Sequence, residues 1–314
     1  MKNKKPGSDM TLGKTALSLA AALFIFCGPT ATAQAAVTCT QLYEETKTAN
    51  QSVETLKALF AKAAARHDCD EEFKRGLGRK VSVAITADVE AALKRGSTLE
   101  ELEIDLIDSL HYFRHWQVLA TLGDIADGRR DRENATKRYQ EALDAIQDKS
   151  LTNAPPAADI IRKIVNKAET SRLLSASYVA VPRTRGNATG LGAPSIRGVV
   201  IKKVAVPITF EFGTAEFTEK GAAAAQDLLS ILKSQGAPSI TLAGHTDPVG
   251  SEASNHALSI KRAERVREFL SAADYSSEIK IIGHGESRPF EPSNPEKYSV
   301  EELHQMSRRV ELLR

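Results

Sequence analysis

The apolar positions divide the chain into a helical first half and a mixed second half. From residue 37 to about 178 they recur at three- and four-residue intervals in a background rich in Ala, Glu, Lys, Leu and Arg, with no convincing alternating strand. Val53, Leu56, Leu59 and Phe60 make one helical stripe. Val81 to Leu93 and Leu99 to Leu110 predict further helices, separated by Arg95-Gly96-Ser97. Residues 179–203 carry Gly, Pro and Arg without periodicity and predict a linker. The period then changes to two: Val204, Val206, Ile208, Phe210 and Phe212 lie on one side of a strand expected from Val199 to Phe212. Thr218 can cap a helix whose buried stripe is Ala222, Ala225, Leu229 and Leu232, ended by Gly236. Strands follow at Ile240 to Gly244 and Ile279 to Gly283. Ser299-Val300-Glu301-Glu302 opens a short helix as a capping box, and Val310 and Leu312 face the core from a closing strand. Residues 204–314 therefore predict an α+β domain of two layers, helices on a mixed sheet, after an all-α domain at 37–178.

The richest stretch begins at Ile240. Its strand runs out at Thr246-Asp247-Pro248, because Pro248 cannot donate to a ladder, and Asp247 is left at the carboxyl end. Gly250-Ser251 turns the chain into a helix that Ser251 can cap. At about 100° per residue, Leu258, Ala263, Val266, Phe269 and Leu270 share an arc of roughly 140° with Asn255, Ser259 and Arg262. A guanidinium on an inward face needs a counter-anion or a mouth open to water. Asp247 is the candidate counter-anion, and two arrangements follow from that. Either Asp247 and Arg262 bridge each other, or they stand apart and each meets an opposite charge on one zwitterionic ligand.

The run GHTDPVG, followed by Asn255, Leu258-Ser259 and Arg262-Ala263, resembles the peptidoglycan-binding C-terminal domain of OmpA-like proteins. The resemblance covers Val206 to Arg314 and includes ITFEFGTAEFT, IIGHGESRP and SRRVEL in family order. It implies a non-covalent grip on the diaminopimelate of the stem peptide, with Asp247 and Arg262 as the central pair. The chemistry suits them: Arg forks onto a carboxylate, while Asp accepts from an ammonium. Asn255 matches a position of polar ligand contact, backbone groups near Thr246 and Gly213 close the sides, and Leu258 and Arg309 complete the implied set. Gly213 stands where members often carry an acid, and Ser307-Arg308-Arg309 where they usually read Asn-Arg-Arg. These departures touch the secondary contacts and leave the central pair intact.

Within the helical half, Leu122-Gly123, Ala126, Ala135, Tyr139 and Ala142 are similar to the small and large positions of a tetratricopeptide repeat. An ordinary helical hairpin is the alternative. One such unit cannot bury its faces alone, so flanking helices such as 99–115 and 156–174 are expected to stack on it. A concave face of this kind implies a protein partner that the sequence does not name.

Composition narrows the remaining classes. With 314 residues the chain is long enough for about two domains. Net charge of +2 offers no electrostatic argument for nucleic acid, and 5% aromatics argues against a large outer-membrane barrel with aromatic girdles. Lys2, Lys4, Lys5 and Lys14 precede an apolar run from Ala16 to Cys27, then the small-residue sites ending at Ala33, Ala35 and Ala36. Residues 1–36 thus predict a signal peptide and an exported, periplasmic protein associated with peptidoglycan or the outer membrane. Bulky Phe26 before Cys27 is a poor lipidation context. Cys39 and Cys69 then read as one disulfide, closing a loop of about 30 residues for about 3 kcal/mol, with two free thiols as the alternative. Catalytic readings are weaker. His245, Asp247, His256 and His284 lack metalloprotease spacing, no G-x-S-x-G elbow exists, and no carboxylate pair stands out, so no enzyme, metal or cofactor is expected.

Overall fold

The computed structural model describes residues 38–47, 51–180, 183–184, 187–188 and 192–313. The expected signal segment, with Cys27, lies outside these described residues.

Helices α1 (Cys39–Glu45), α2 (Val53–Ala64), α3 (Glu71–Lys94) and α4 (Glu103–Tyr112) open the fold. The apolar stripes of α1, α2 and α3 meet in a cluster of Leu42, Leu56, Leu59, Leu77 and Val81. The Cys39–Cys69 disulfide ties α1 to the start of α3 across a Cα separation of 5.3 Å. α3 starts ten residues earlier than the periodicity suggests, because the Asp70 carboxylate caps it by accepting from Phe73 N at 2.6 Å. α5 (Trp116–Gly128) and α6 (Arg132–Gln147) form an antiparallel hairpin, and α7 (Ala158–Leu174) packs beside it. The close approach depends on Gly123, where a Cβ would lie 2.6 Å from the Tyr139 ring.

Residues 179–203 do more than tether. They carry two-residue strands, β1 (Arg183–Thr184) with β2 (Asn187–Ala188), and β3 (Ser195–Ile196) with β4 (Val199–Val200). Ile196 and Ile201 are buried with Ile146 and Ile161 from α6 and α7. Their apolar side chains cover the hairpin, a use that the surrounding Gly and Pro conceal.

β5 (Lys203–Val206), α8 (Glu219–Ser234), β6 (Ile240–Gly244), α9 (Glu252–Ala272), β7 (Ile279–Gly283), α10 (Val300–Ser307) and β8 (Val310–Leu313) build the second half. The sheet runs β5-β8-β6-β7, with β6 and β7 parallel and the other pairs antiparallel, so it is mixed as expected. Val206, Ile208, Leu228, Leu229, Leu242, Val266 and Leu312 form the core between the sheet and α8 and α9. Ala205, on the other face of β5, meets Leu173, Leu174, Phe290 and Met306, so α7 and α10 supply a third layer. Residues 39–314 accordingly pack as one unit.

The expected Val199–Phe212 strand is broken. Pro207 has no N–H for a ladder, so β5 stops at Val206; Phe210 makes an isolated bridge with Phe217, and Phe212 is 93% exposed. In α8, Ala222 is exposed and Leu228 takes the inward place expected for it.

Candidate ligand-binding site

The candidate site lies where β6 ends and α9 begins. A Cβ on Gly244 would lie 1.9 Å from the Ser259 carbonyl oxygen, so the absent side chain lets α9 rest directly on the end of β6. Thr246 follows, held by its N–H to Gly285 O at 2.8 Å; it is buried and its Oγ1 has no hydrogen-bond partner among the described residues. Asp247 accepts from Val249 N at 3.0 Å, which pins the turn, and Ser251 caps α9 by accepting from Ser254 N.

Asp247 and Arg262 do not pair. Asp247 Oδ2 accepts from Arg308 Nη1 at 2.7 Å, and Arg308 Nη2 donates to Glu301 Oε1 at 2.8 Å. Arg262 is 4% exposed, donates Nε to Thr214 O at 3.1 Å and lies 5.1 Å from the Phe210 ring centroid. Its Nη atoms find no partner among the described residues. Burial pulls the Arg262 pKa down, and the nearby Asp247 charge opposes that pull. Asn255, also buried, donates Nδ2 to Asp247 O at 3.2 Å and to Glu286 Oε2. Leu258 is half-buried, and Gly213 is exposed with φ 71°, a left-handed backbone suited to glycine.

Arg309, expected among the ligand contacts, is buried against Glu311. It is 1% exposed and donates Nε and Nη2 to Glu311 Oε1 at 3.0 and 2.7 Å, with its guanidinium over Phe290. Strand alternation explains the exchange: Val310 and Leu312 face the α8–α9 core, so Arg309 and Glu311 face the other side. Arg308, which the expected set leaves out, stands beside Asp247. Burial would lift the Glu311 pKa, but the paired Arg309 guanidinium outweighs it and holds the carboxyl well below the usual range. His245 Nε2 stands 3.4 Å from the second Glu311 oxygen, too poorly aligned to count as a hydrogen bond, and burial keeps this imidazole's pKa low. Phe210 and Thr214 were also missed as partners of Arg262; only the FxF pattern hinted at them. Among the described residues no group of three or more His, Cys, Asp or Glu could hold a metal ion, and no helix is long and apolar enough to cross a membrane.

A family model described as the OmpA family matches residues 209–301. The C-terminal domain is OmpA-like. Across 143 residues the chain is 33% identical to outer membrane porin F of Pseudomonas aeruginosa, covering 44% of this chain and 40% of that protein. It is 35% identical over 83 residues to a peptidoglycan-associated lipoprotein of Legionella pneumophila, covering 26% and 44% respectively. The chain thus spans less than half the length of these curated relatives. The crystal structure of the peptidoglycan-associated lipoprotein from Burkholderia pseudomallei aligns at 24% identity over 37% of this chain and 91% of that one, with a TM-score of 0.28. Asp247, Asn255 and Arg262 all fall inside the matched OmpA-like segment, while Arg308 and Arg309 fall beyond it.

Proposed function

We propose that this is an exported, non-enzymatic protein of the cell envelope that holds peptidoglycan through the diaminopimelate of its stem peptide. The observation that carries the reading is the separation of Asp247 from Arg262, each with its own partners and with the Arg262 Nη edge uncommitted. Arg262 takes a ligand carboxylate by its free edge, and Arg308 is close enough to Asp247 to share that anion. Asp247 takes the ligand ammonium, a compact donor that substitutes for one arm of Arg308. Asn255 and the backbone about Thr246 and Gly213 line the sides, with Leu258 at the margin. One such clamp is of modest strength, but a wall polymer repeats the stem and raises its effective concentration. The helical half then presents the protein to a partner, through a tetratricopeptide-like hairpin of α5 and α6. The competing scaffold reading needs a direct Asp247–Arg262 bridge, and no such ion pair forms among the described residues.

Sedimentation with purified sacculi tests the clamp. Asp247→Ala and Arg262→Ala are each expected to lower the bound fraction at least tenfold while circular dichroism stays unchanged. Sedimentation of both variants at wild-type levels would exclude the mechanism.

A further inference from the structure

A cavity of about 440 Å³ opens where the α5–α6 hairpin and α7 meet the loop ahead of α10. Its size is within the range of small-molecule sites, roughly 300–1,000 Å³. The floor is built and charge-compensated. The Tyr139 hydroxyl donates to Asp124 at 2.7 Å, and Lys167 donates to the same oxygen at 2.6 Å. Arg132, about nine-tenths buried, pairs with Asp127 and, at 3.0 Å, with Glu302. The half-buried Tyr298 adds an aromatic wall, its hydroxyl 3.5 Å from Asp127.

The rim differs from the floor. Lys297 lines the mouth and its ammonium has no partner among the described residues. Arg130 also lines it, at the turn between α5 and α6, with φ 60°. That left-handed conformation disfavours any residue with a Cβ, and such strain gathers where side chains serve a site. Its guanidinium reaches Glu302 while remaining 61% exposed.

We propose that this cavity binds a saccharide unit bearing one free carboxylate, held by Lys297 and Arg130, with its hydroxyls donating to Asp124 and one ring face against Tyr298. Hydroxyl donors suit carboxylates that already have cationic partners, because they fill remaining lone pairs without breaking an ion pair. A ligand with several carboxylates, such as an acidic peptide, would meet Asp124 and Asp127 head-on. None of these residues belongs to the Asp247–Arg262 clamp, so the proposal stands or falls separately from the peptide reading.

Titration calorimetry of the full chain provides the test. The probes are N-acetylglucosaminyl-N-acetylmuramic acid with its free lactyl carboxylate, methyl galacturonide, neutral chitobiose and an aspartate-rich peptide. Carboxylated sugars are expected to bind at least tenfold more tightly than chitobiose. Lys297→Ala, an exposed change, should weaken them at least tenfold, and Lys297→Arg should restore them. Preference for the muramyl probe assigns a wall glycan as the source, and preference for the uronide an acidic polysaccharide; either supports the site. Equal binding of chitobiose, no binding of either acidic sugar at millimolar concentration, indifference to Lys297→Ala, or binding of the acidic peptide alone overturns it.

Discussion

Arg308 and Arg309 are neighbours with opposite fates, and the difference sets their energetic weight. Arg309 is sealed against Glu311, so removing the acid leaves a buried cation with no counter-charge and only the Ser307 and Arg288 carbonyls to meet it. Glu311→Gln is therefore expected to cost about 3–5 kcal/mol in urea unfolding at neutral pH. Arg308 keeps 32% of its side chain exposed beside Asp247, and Arg308→Gln is expected to cost under about 1 kcal/mol. Equal costs for the two would show that the pairs have been weighed wrongly. The sequence contained the signal for this exchange in the alternation of Val310 and Leu312, but resemblance to a motif placed Arg309 in the site. Arg262 is legible as an inward position. The helical angle turns it inward, where it is 4% exposed, while β6 stops at Gly244, three residues before Asp247.

The proposed clamp lies between β6 and α9, whose contact is set by Gly244. Gly244→Ala must push the Ser259 backbone away, at a cost of about 1–3 kcal/mol in melting experiments. Because Arg262 lies one helical turn beyond Ser259, sacculus binding is expected to fall by more than the lost stability explains. Unchanged binding in a folded Gly244→Ala protein would show that the α9 position is not what sets the site. Element limits follow local chemistry closely here. The caps at Thr218 and Ser251 and the Ser299–Glu302 capping box form as the sequence predicts, since each needs only a few adjacent residues. The break after Val206 is equally local, and Pro207 announces it; the alternation beyond it concealed it.

At the level of the whole molecule, Glu169 of α7 joins the helical half to the sheet. Its Oε1 accepts from Ala205 N, on the open edge of β5, at 2.8 Å. Burial lifts its carboxyl to about 7, with the Ala205 bond pulling the other way. The folded pKa lies above the unfolded one, so this group's stabilisation is complete below pH 4.5 and is lost as pH rises to about 7. The loss amounts to roughly 3 kcal/mol. His245, held neutral by burial, works in the opposite sense by losing stability as pH falls below 6.5. The difference between wild type and Glu169→Gln isolates the first effect. Urea midpoints from pH 4.5 to 8 are expected to fall with pH in the wild type relative to the variant, and parallel curves would remove Glu169 from the interface. The third layer that creates this contact was not legible, because α7 reads as an ordinary amphipathic helix whatever surface it meets.

Periodicity, caps and punctuation are short-range properties, so the order of helices and strands, the cysteine bridge and the inward cation were all present in the one-dimensional text. Which arginine meets Asp247, how Ile196 and Ile201 are buried, and how α7 covers the sheet depend on surfaces brought together from distant parts of the chain. Burial and pairing of that kind belong to the packed molecule, since the free energy of a side chain is set by neighbours that its own segment does not specify.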